Sequence, residues 1–479
     1  MSDQQGMAEG IENETMNEQF SFEDEPEMQA AAPKPTRKRK LKRGTTKAKR
    51  AVVKDVKKKA NPEQTKVTKK NTDNKKSDRS VKKKQPGKKQ TKSVIKKAAR
   101  RVVKLRRRKS AYPRGVNLIG FIRAETGIGE SVRLAARSLI NTDIPFGTIN
   151  YPEQHDFRED DTTWAHMEME SAVYKVNLFH INGDRIKPAA AYFGPRITRG
   201  RYNIGYWHWE LPDYPQSHCA GFDVVQEVWV PSNFVLNSIS TKSKVPVVRI
   251  PHGIQVPVPL GLNRDSFGLP NDRYLFCAMA DSQSYQKRKN PLGAIEAFKR
   301  AFAGEDPRVG LVIKLNNAQS NPEETAALQQ AAAGHANIYS IDQTLTREEV
   351  NALISSIDCF VSLHRAEGFG LPLAEAMYLG KPVVGTNWSG NTDFMHPGNS
   401  CAVNYELVEV GEYWGPYDAH QKWAEPDIDH ASEFMRKLII QPDWARRIAL
   451  AGQKTIHSYY SPYHVGQLIK QRLRLLGFK

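Results

Sequence analysis

Cysteine is scarce in this chain. Cys219, Cys277, Cys359 and Cys401 are the four present, widely spaced, with no C-x-x-C pair and no histidine partner at metal-site spacing. That pattern sets aside a disulfide scaffold and a zinc ribbon, and leaves reduced structural thiols of the kind a cytoplasmic compartment allows. Long apolar runs are lacking as well. No stretch approaches the roughly 20 residues that cross a bilayer, and the acidic N-terminus has no apolar core such as a secretory signal requires. A soluble protein, or one held at the inner face of a membrane, is expected.

Aromatic residues are almost absent from 31–109, a stretch exemplified by VKKKQPGKKQTKSVIKKAARR. Such a segment cannot bury enough apolar area to offset the entropy of ordering, so 31–112 reads as a disordered Lys/Arg-rich tail, extended further by its own repulsion. Residues 1–30 read as an acidic disordered segment, with nine Asp/Glu and no Lys/Arg. The formal charge of +19 belongs to this region: −9 from 1–30 and +31 from 31–110 leave −3 for the remaining 369 residues. Any polyanion partner therefore concerns the tail and not the folded surface. An anionic membrane and nucleic acid, bound without sequence preference, would both attract it. A merely solubilising role is the third reading.

From Ala111-Tyr112-Pro113 onward, short apolar runs alternate with amphipathic stretches in a βαβα rhythm, which predicts parallel sheets covered by helices. GVNLIGFI, VNLFHIN, YNIGYW, EVWVPS and VPVVRIP supply strands for a first doubly wound domain over 113–265. YLFCAMA, GLVIKL, SIDCFVSLH and KPVVGTN supply a second over 266–455, after a linker-like GLNRDSFGLPND. Asn290-Pro291 predicts a helix start with Leu292, Ile295, Phe298 and Phe302 on one face, and Thr346 with Glu349 predicts a capping box.

The segment SLHRAEGFGLPLAEAMYLGKPVVG concentrates the chemistry. A strand ends near His364, a loop carries Glu367, Gly368 and Gly370, Pro372 opens a helix with Glu375 in its first turn, and Gly380 ends it. Free amides at a helix N-terminus beyond the carboxyl end of a strand form an anion site suited to a diphosphate. A carboxylate beside them suits hydroxyls. Either glutamate alone would be a dipole partner or a solvated loop residue; the pair flanking GFGLP argues for a nucleotide sugar.

These residues resemble the E-x7-E signature of glycosyltransferase family 4, a family of retaining GT-B enzymes. RKNPLGAIEAFKRAF and GTNWSGNTDFM resemble its donor-half segments, and NLFHINGD, IGYWHWELPDYP, EVWVPSNFV and VRIPHGI its acceptor half, so that the likeness spans roughly 115–475. It implies a GT-B fold, two Rossmann-like domains facing a cleft, with a final helix over 456–479 returning to the first. It also implies hexosyl transfer from a nucleoside-diphosphate sugar to a glycan or lipid-linked acceptor, with no cofactor or metal. Glu367 would face the sugar hydroxyls, with Gly368, Phe369 and Gly370 near the sugar or its phosphate, and Glu375 would take the ribose. Lys289 matches the phosphate-binding lysine and Arg288 is a second cation, although DSQSYQ stands where the family often has another arginine. Gly127 and Gly129 resemble the glycine loop facing the diphosphate across the cleft. His180, with Asn182, and His208, with Glu210, are acceptor-side candidates, against a bland reading of buried histidines. The D-x-D spacing of Asp427 and Asp429 reads as a helix cap. The rival functions are a polyanion-binding protein with an inactive GT-B module and a nucleotide-sugar epimerase.

Overall fold

A computed structural model describes residues 112–152, 158–304 and 306–478. The acidic segment 1–30 and the basic tail 31–112 lie outside these residues, apart from Tyr112. The first domain is built on strands β1 (Val116–Gly120), β2 (Phe146–Asn150), β3 (Val176–His180), β4 (Tyr202–Tyr206), β5 (Glu227–Val230) and β6 (Val247–Arg249). They form one sheet in the order β2-β1-β3-β4-β5-β6, parallel throughout. The second is built on β7 (Tyr274–Asp281), β8 (Val309–Asn316), β9 (Ile338–Ile341), β10 (Cys359–Ser362), β11 (Val383–Thr386) and β12 (Cys401–Val403), in the parallel order β12-β11-β10-β7-β8-β9. An antiparallel hairpin, β13 (Tyr405–Glu409) and β14 (Lys422–Pro426), follows.

The helices are α1 (Gly127–Ile140), α2 (Ile186–Tyr192), α3 (Asn233–Ser240), α4 (Gln286–Lys289), α5 (Pro291–Ala301), α6 (Pro322–Ala332), α7 (Arg347–Ser356), α8 (Leu371–Tyr378), α9 (Ile428–Ile440), α10 (Pro442–Tyr459) and α11 (Pro462–Leu475). No helix among the described residues is long and apolar enough to cross a membrane.

Strand alternation explains how the sheets are covered on both faces. In the second domain Phe276 and Val361 pack with Ala294, Phe298 and Met435 on one side, while Cys277 and Phe360 pack with Leu353, Leu373 and Met377 on the other. Three cysteines are buried in this domain and Cys219 is partly exposed in the first, all as free thiols. In the first domain the register of β1, β3 and β4 is marked by a buried amide ladder. Asn117 Nδ2 donates to Asn177 Oδ1 at 2.8 Å, and Asn177 Nδ2 donates to Asn203 Oδ1 at 2.8 Å. These three residues are in register across the strands, so a slip of one residue would leave buried amides without partners.

The helix starts read from the sequence are present. Asn290 caps α5, accepting from Gly293 N at 3.2 Å, and Thr346 and Glu349 form a capping box on α7. Asp427 caps α9, accepting from His430 N at 3.0 Å. Two details differ. Ile295, Phe298 and Phe302 are buried, but Leu292 is 45% exposed, because Pro291, Gly293 and Ala294 form the packed side of the first turn of α5 and Leu292 lies on its outer side. Glu375 lies past the first turn of α8, because the helix starts at Leu371, directly after the left-handed Gly370. Strands β2, β9 and β12 and the hairpin were not anticipated.

The segment 261–272 is pinned at Arg264, which donates to the carbonyls of Ser356 and Arg273, each at 2.8 Å, and to Asp358 at 2.6 Å. After α10 the chain crosses back at Tyr460-Ser461. There α11 lies on α1 and β5, with Arg472 donating to both carboxylate oxygens of the fully buried Glu227, at 2.8 and 2.6 Å.

Candidate active site

In each sheet one strand has both its neighbours later in the chain, one on either side: β1 between β2 and β3, and β7 between β8 and β10. Beyond the carboxyl ends of strands at such a reversal lies a crevice that binds ligands in doubly wound sheets. The sequence candidates fall there: Gly127–Glu130 after β1, His180 and Asn182 at the end of β3, His208 and Glu210 after β4, Arg288 and Lys289 after β7, and Glu367–Gly370 after β10.

Asn290 sets the position of the two cations. It adopts φ 50°, a left-handed conformation that separates α4 from α5, and its Nδ2 donates to Leu363 O at 2.9 Å. The loop is thereby tied to the end of β10. Arg288, 6% exposed, donates through Nη1 to Ala366 O at 2.7 Å and lies 3.3 Å from Glu367 Oε1. Lys289 Nζ pairs with the same carboxylate oxygen. Burial pushes the Glu367 carboxyl up, but the adjacent Lys289 and Arg288 charges outweigh it and hold the group at about 2. Glu367 is thus a buried carboxylate, ionised at neutral pH and clasped by cations.

Immediately after it, Gly370 has φ 93°, which places the start of α8 where an L side chain would be strained. The amides of Gly368, Phe369 and Gly370 have no acceptor among the described residues. Across the cleft, Thr126 Oγ1 accepts from Gly129 N at 3.2 Å and opens α1. A Cβ on Gly129 would sit 2.0 Å from Ala124 O, so this turn admits only glycine. Two helix N-termini therefore supply amides and positive dipole ends to one cleft.

Glu375 is not open to the cleft by itself. It is 3% exposed and pairs with Arg347, the first residue of α7. Burial raises the Glu375 carboxyl, and Arg347 opposes this only in part. Glu130, on α1, is raised by burial but brought down to about 2 by Arg347, Arg133 and Arg137. Carboxylates from both domains thus share Arg347.

The histidine candidates form a cluster with a third member. His208 Nε2 is 3.3 Å from His252 Nε2, and its backbone N–H donates to Asn182 Oδ1 at 2.8 Å. His180 stacks on Tyr206 at 4.5 Å and its Nδ1 is 2.9 Å from Ser131 Oγ, inside the first domain. His252 meets the Phe369 ring edge-to-face at 4.9 Å, so it touches the loop that carries Glu367. Burial depresses all three, His208 to about 4, and they are neutral imidazoles at neutral pH. Glu210 accepts from the Tyr417 hydroxyl at 3.0 Å, and this pair faces Arg288, whose pKa burial lowers but Tyr417, Glu367 and Glu210 raise above its ordinary value.

Sequence reasoning did not single out His252, Arg347 or Tyr417. His252 stood in VRIPHGI at a strand end, a usable signal; Arg347 and Tyr417 gave none, since each reaches the site only through tertiary contact.

The architecture is that of a GT-B fold. Over residues 263–408 the chain matches the family of glycosyl transferases group 1. Similar solved structures show the same fold: Anabaena HepE, in complex with UDP and glucose, has a TM-score of 0.56 at 13% identity, covering 76% of this chain and 100% of that one. The sucrose-phosphate synthase of Thermosynechococcus elongatus has a TM-score of 0.56 at 14% identity, over 76% of this chain and 99% of that one. Among curated proteins, the MMP alpha-(1->4)-mannosyltransferase of Mycolicibacterium hassiacum is 27% identical over 210 residues, 43% of this chain and 44% of that protein. The human alpha-1,3/1,6-mannosyltransferase ALG2 is 23% identical over 189 residues, 37% of this chain and 40% of that protein. The chain spans less than half the length of either relative.

Proposed function

We propose that this chain is a retaining glycosyltransferase that moves a hexosyl group from a nucleoside-diphosphate sugar to a glycan or lipid-linked acceptor hydroxyl. The observation that carries the reading is the clasp of Glu367 by Lys289 and Arg288 beside the free amides of Gly368–Gly370. It combines a carboxylate for sugar hydroxyls with cations and helix dipoles for a diphosphate.

In the proposed reaction the bond from the anomeric carbon to the donor phosphate breaks. Positive charge grows on the sugar and negative charge on the leaving phosphate. Lys289, Arg288 and the N-termini of α1 and α8 stabilise the phosphate. Glu367 orients the sugar and offsets its positive charge. The acceptor oxygen bonds on the face the phosphate leaves, and its proton passes to the leaving phosphate, so neither a cofactor nor a metal is assigned. Donor binding exchanges partners: Lys289 turns from Glu367 to phosphate, and Glu375 turns from Arg347 to the ribose. The similarity to two mannosyltransferases makes a mannosyl donor the first to test.

Glu367→Gln and Lys289→Ala should each lower kcat by roughly 10²–10³-fold with the fold retained, as circular dichroism would show. Turnover by either variant at the wild-type rate would refute the assignment. Melting shifts with UDP, GDP and ADP sugars would choose the donor. Sugar conversion without added acceptor would instead favour an epimerase, and absence of any nucleotide-sugar turnover would favour a polyanion-binding protein with an inactive module. Binding of the tail to an anionic membrane or nucleic acid, and the peripheral cytoplasmic location this gives, is tested by co-sedimentation of residues 1–112 with liposomes and DNA, each weakening with salt.

A further inference from the structure

The connection between β13 and β14 leaves its own domain. Within it the Tyr417 ring lies 5.5 Å from that of Trp209 in the first domain and 5.1 Å from that of Tyr285. Glu412 pairs with Lys287, whose ammonium also sits 4.4 Å from the centre of the Trp414 ring. At the base, Arg365 donates to both oxygens of Glu425, at 2.6 and 2.9 Å. The hairpin is therefore fastened to residues next to the catalytic cations and braced against the first domain. Between it and residues 212–217 runs a groove of about 830 Å³, within the roughly 300–1,000 Å³ of small-ligand sites.

The walls of this groove define its ligand. Tyr413 presents a ring that is 73% exposed, with Pro416 on the same side and Pro215 opposite. Asp418 and Gln216 add a carboxylate and an amide to the walls. Charge is balanced, since Lys242 lies 2.8 Å from Asp213. A surface of mixed sign does not select a phosphate or an acidic peptide. Rings and prolines that stack on C–H faces, interleaved with acceptors for hydroxyls, suit an uncharged saccharide. The groove lies close to the candidate site: next to its wall residue Pro416, the buried Tyr417 bonds Glu210 and, with it, faces Arg288.

We infer that this interdomain groove binds the neutral oligosaccharide part of the acceptor, with Tyr413 as its stacking platform and Asp418 as a hydroxyl acceptor, so that the hairpin selects the acceptor. The inference rests on the glycosyltransferase reading above. Its test uses the full chain on an array of neutral oligosaccharides, together with acceptor-free hydrolysis of the nucleotide sugar. Tyr413→Ala and Asp418→Asn should each weaken binding to the retained glycans about tenfold and raise KM for those glycans as acceptors by a similar factor. kcat and donor hydrolysis should stay as in wild type, and Tyr413→Trp should retain binding. No neutral glycan bound by wild type, binding confined to charged glycans, or equal binding by Tyr413→Ala would overturn the groove. Absence of any nucleotide-sugar turnover by the wild type, with or without acceptor, would overturn the glycosyltransferase reading instead, and array binding reports on the groove in either case.

Discussion

Burial decides the charge of the site residues one by one. Glu367 and His208 are both enclosed, yet the first is held ionised by two cations whereas the second, facing other imidazoles, is held neutral. The His208 pKa is lowered from 6.5 to about 4, so the unfolded chain takes up a proton before the folded one does. Its stabilising contribution is complete above pH 6.5 and is lost as pH falls toward 4. Unfolding by urea at a series of pH values should show stability declining by a few kcal/mol across that window, on the order of the shift. His208→Asn should flatten the slope in part, His180 and His252 supplying the rest. Glu367 behaves in the same sense at lower pH, its contribution lost between 4.5 and about 2.

At the scale of elements, short-range signals and cross-strand ones part company. The caps at Asn290 and Thr346 act within one turn and were legible as Asn-Pro and as Thr with Glu three residues on. Thr346→Ala should cost about 1 kcal/mol in chemical denaturation, with Thr346→Ser close to wild type. Leu292 had the right spacing, but what packs over the first turn of α5 is decided by other elements. The amide ladder is wholly a matter of pairing. Asn177 is the middle rung, and Asn177→Leu would strip Asn117 and Asn203 of their shared partner. Asn117 Nδ2 keeps Tyr174 O and Val176 O, whereas Asn203 Oδ1 is left buried with no other donor among the described residues, so a loss of roughly 1–3 kcal/mol is expected. Wild-type stability of that variant would show that the ladder does not hold the register.

For the whole molecule, the two domains are joined by apolar and polar contacts together. Trp209 packs on Tyr417 and Phe234 on Trp388, while Ser232 Oγ donates to Gly368 O at 2.7 Å and Arg249 pairs with Asp393 at 2.6 Å. The return of α11 to the first domain is locked by Arg472 on Glu227. Arg472→Ala leaves that carboxylate buried without its counter-charge, with only the Trp229 indole N–H and the Tyr202 hydroxyl donating to it, so a loss of about 3–5 kcal/mol is expected. Limited proteolysis should then release the C-terminal helix before either sheet domain is cut. Unchanged resistance to protease would mean that apolar packing of α11 on α1 suffices.

The two-domain α/β architecture was readable in the sequence, and the candidate residues Glu367, Lys289 and Arg288 could be singled out there, because both are written in local periodicity and in short motifs: buried strands, a glycine turn, a proline-started helix and a lysine before an Asn-Pro cap. Those features depend on residues within a few positions of each other. The pairing of Glu375 with Arg347, the contact of His252 with Phe369 and the bracing of Glu210 by Tyr417 join residues 28, 117 and 207 positions apart. No local pattern encodes such partners. They meet because two sheets, each with its strand order reversed at one point, bring their carboxyl ends into the same cleft, and because a hairpin from the second domain reaches across it.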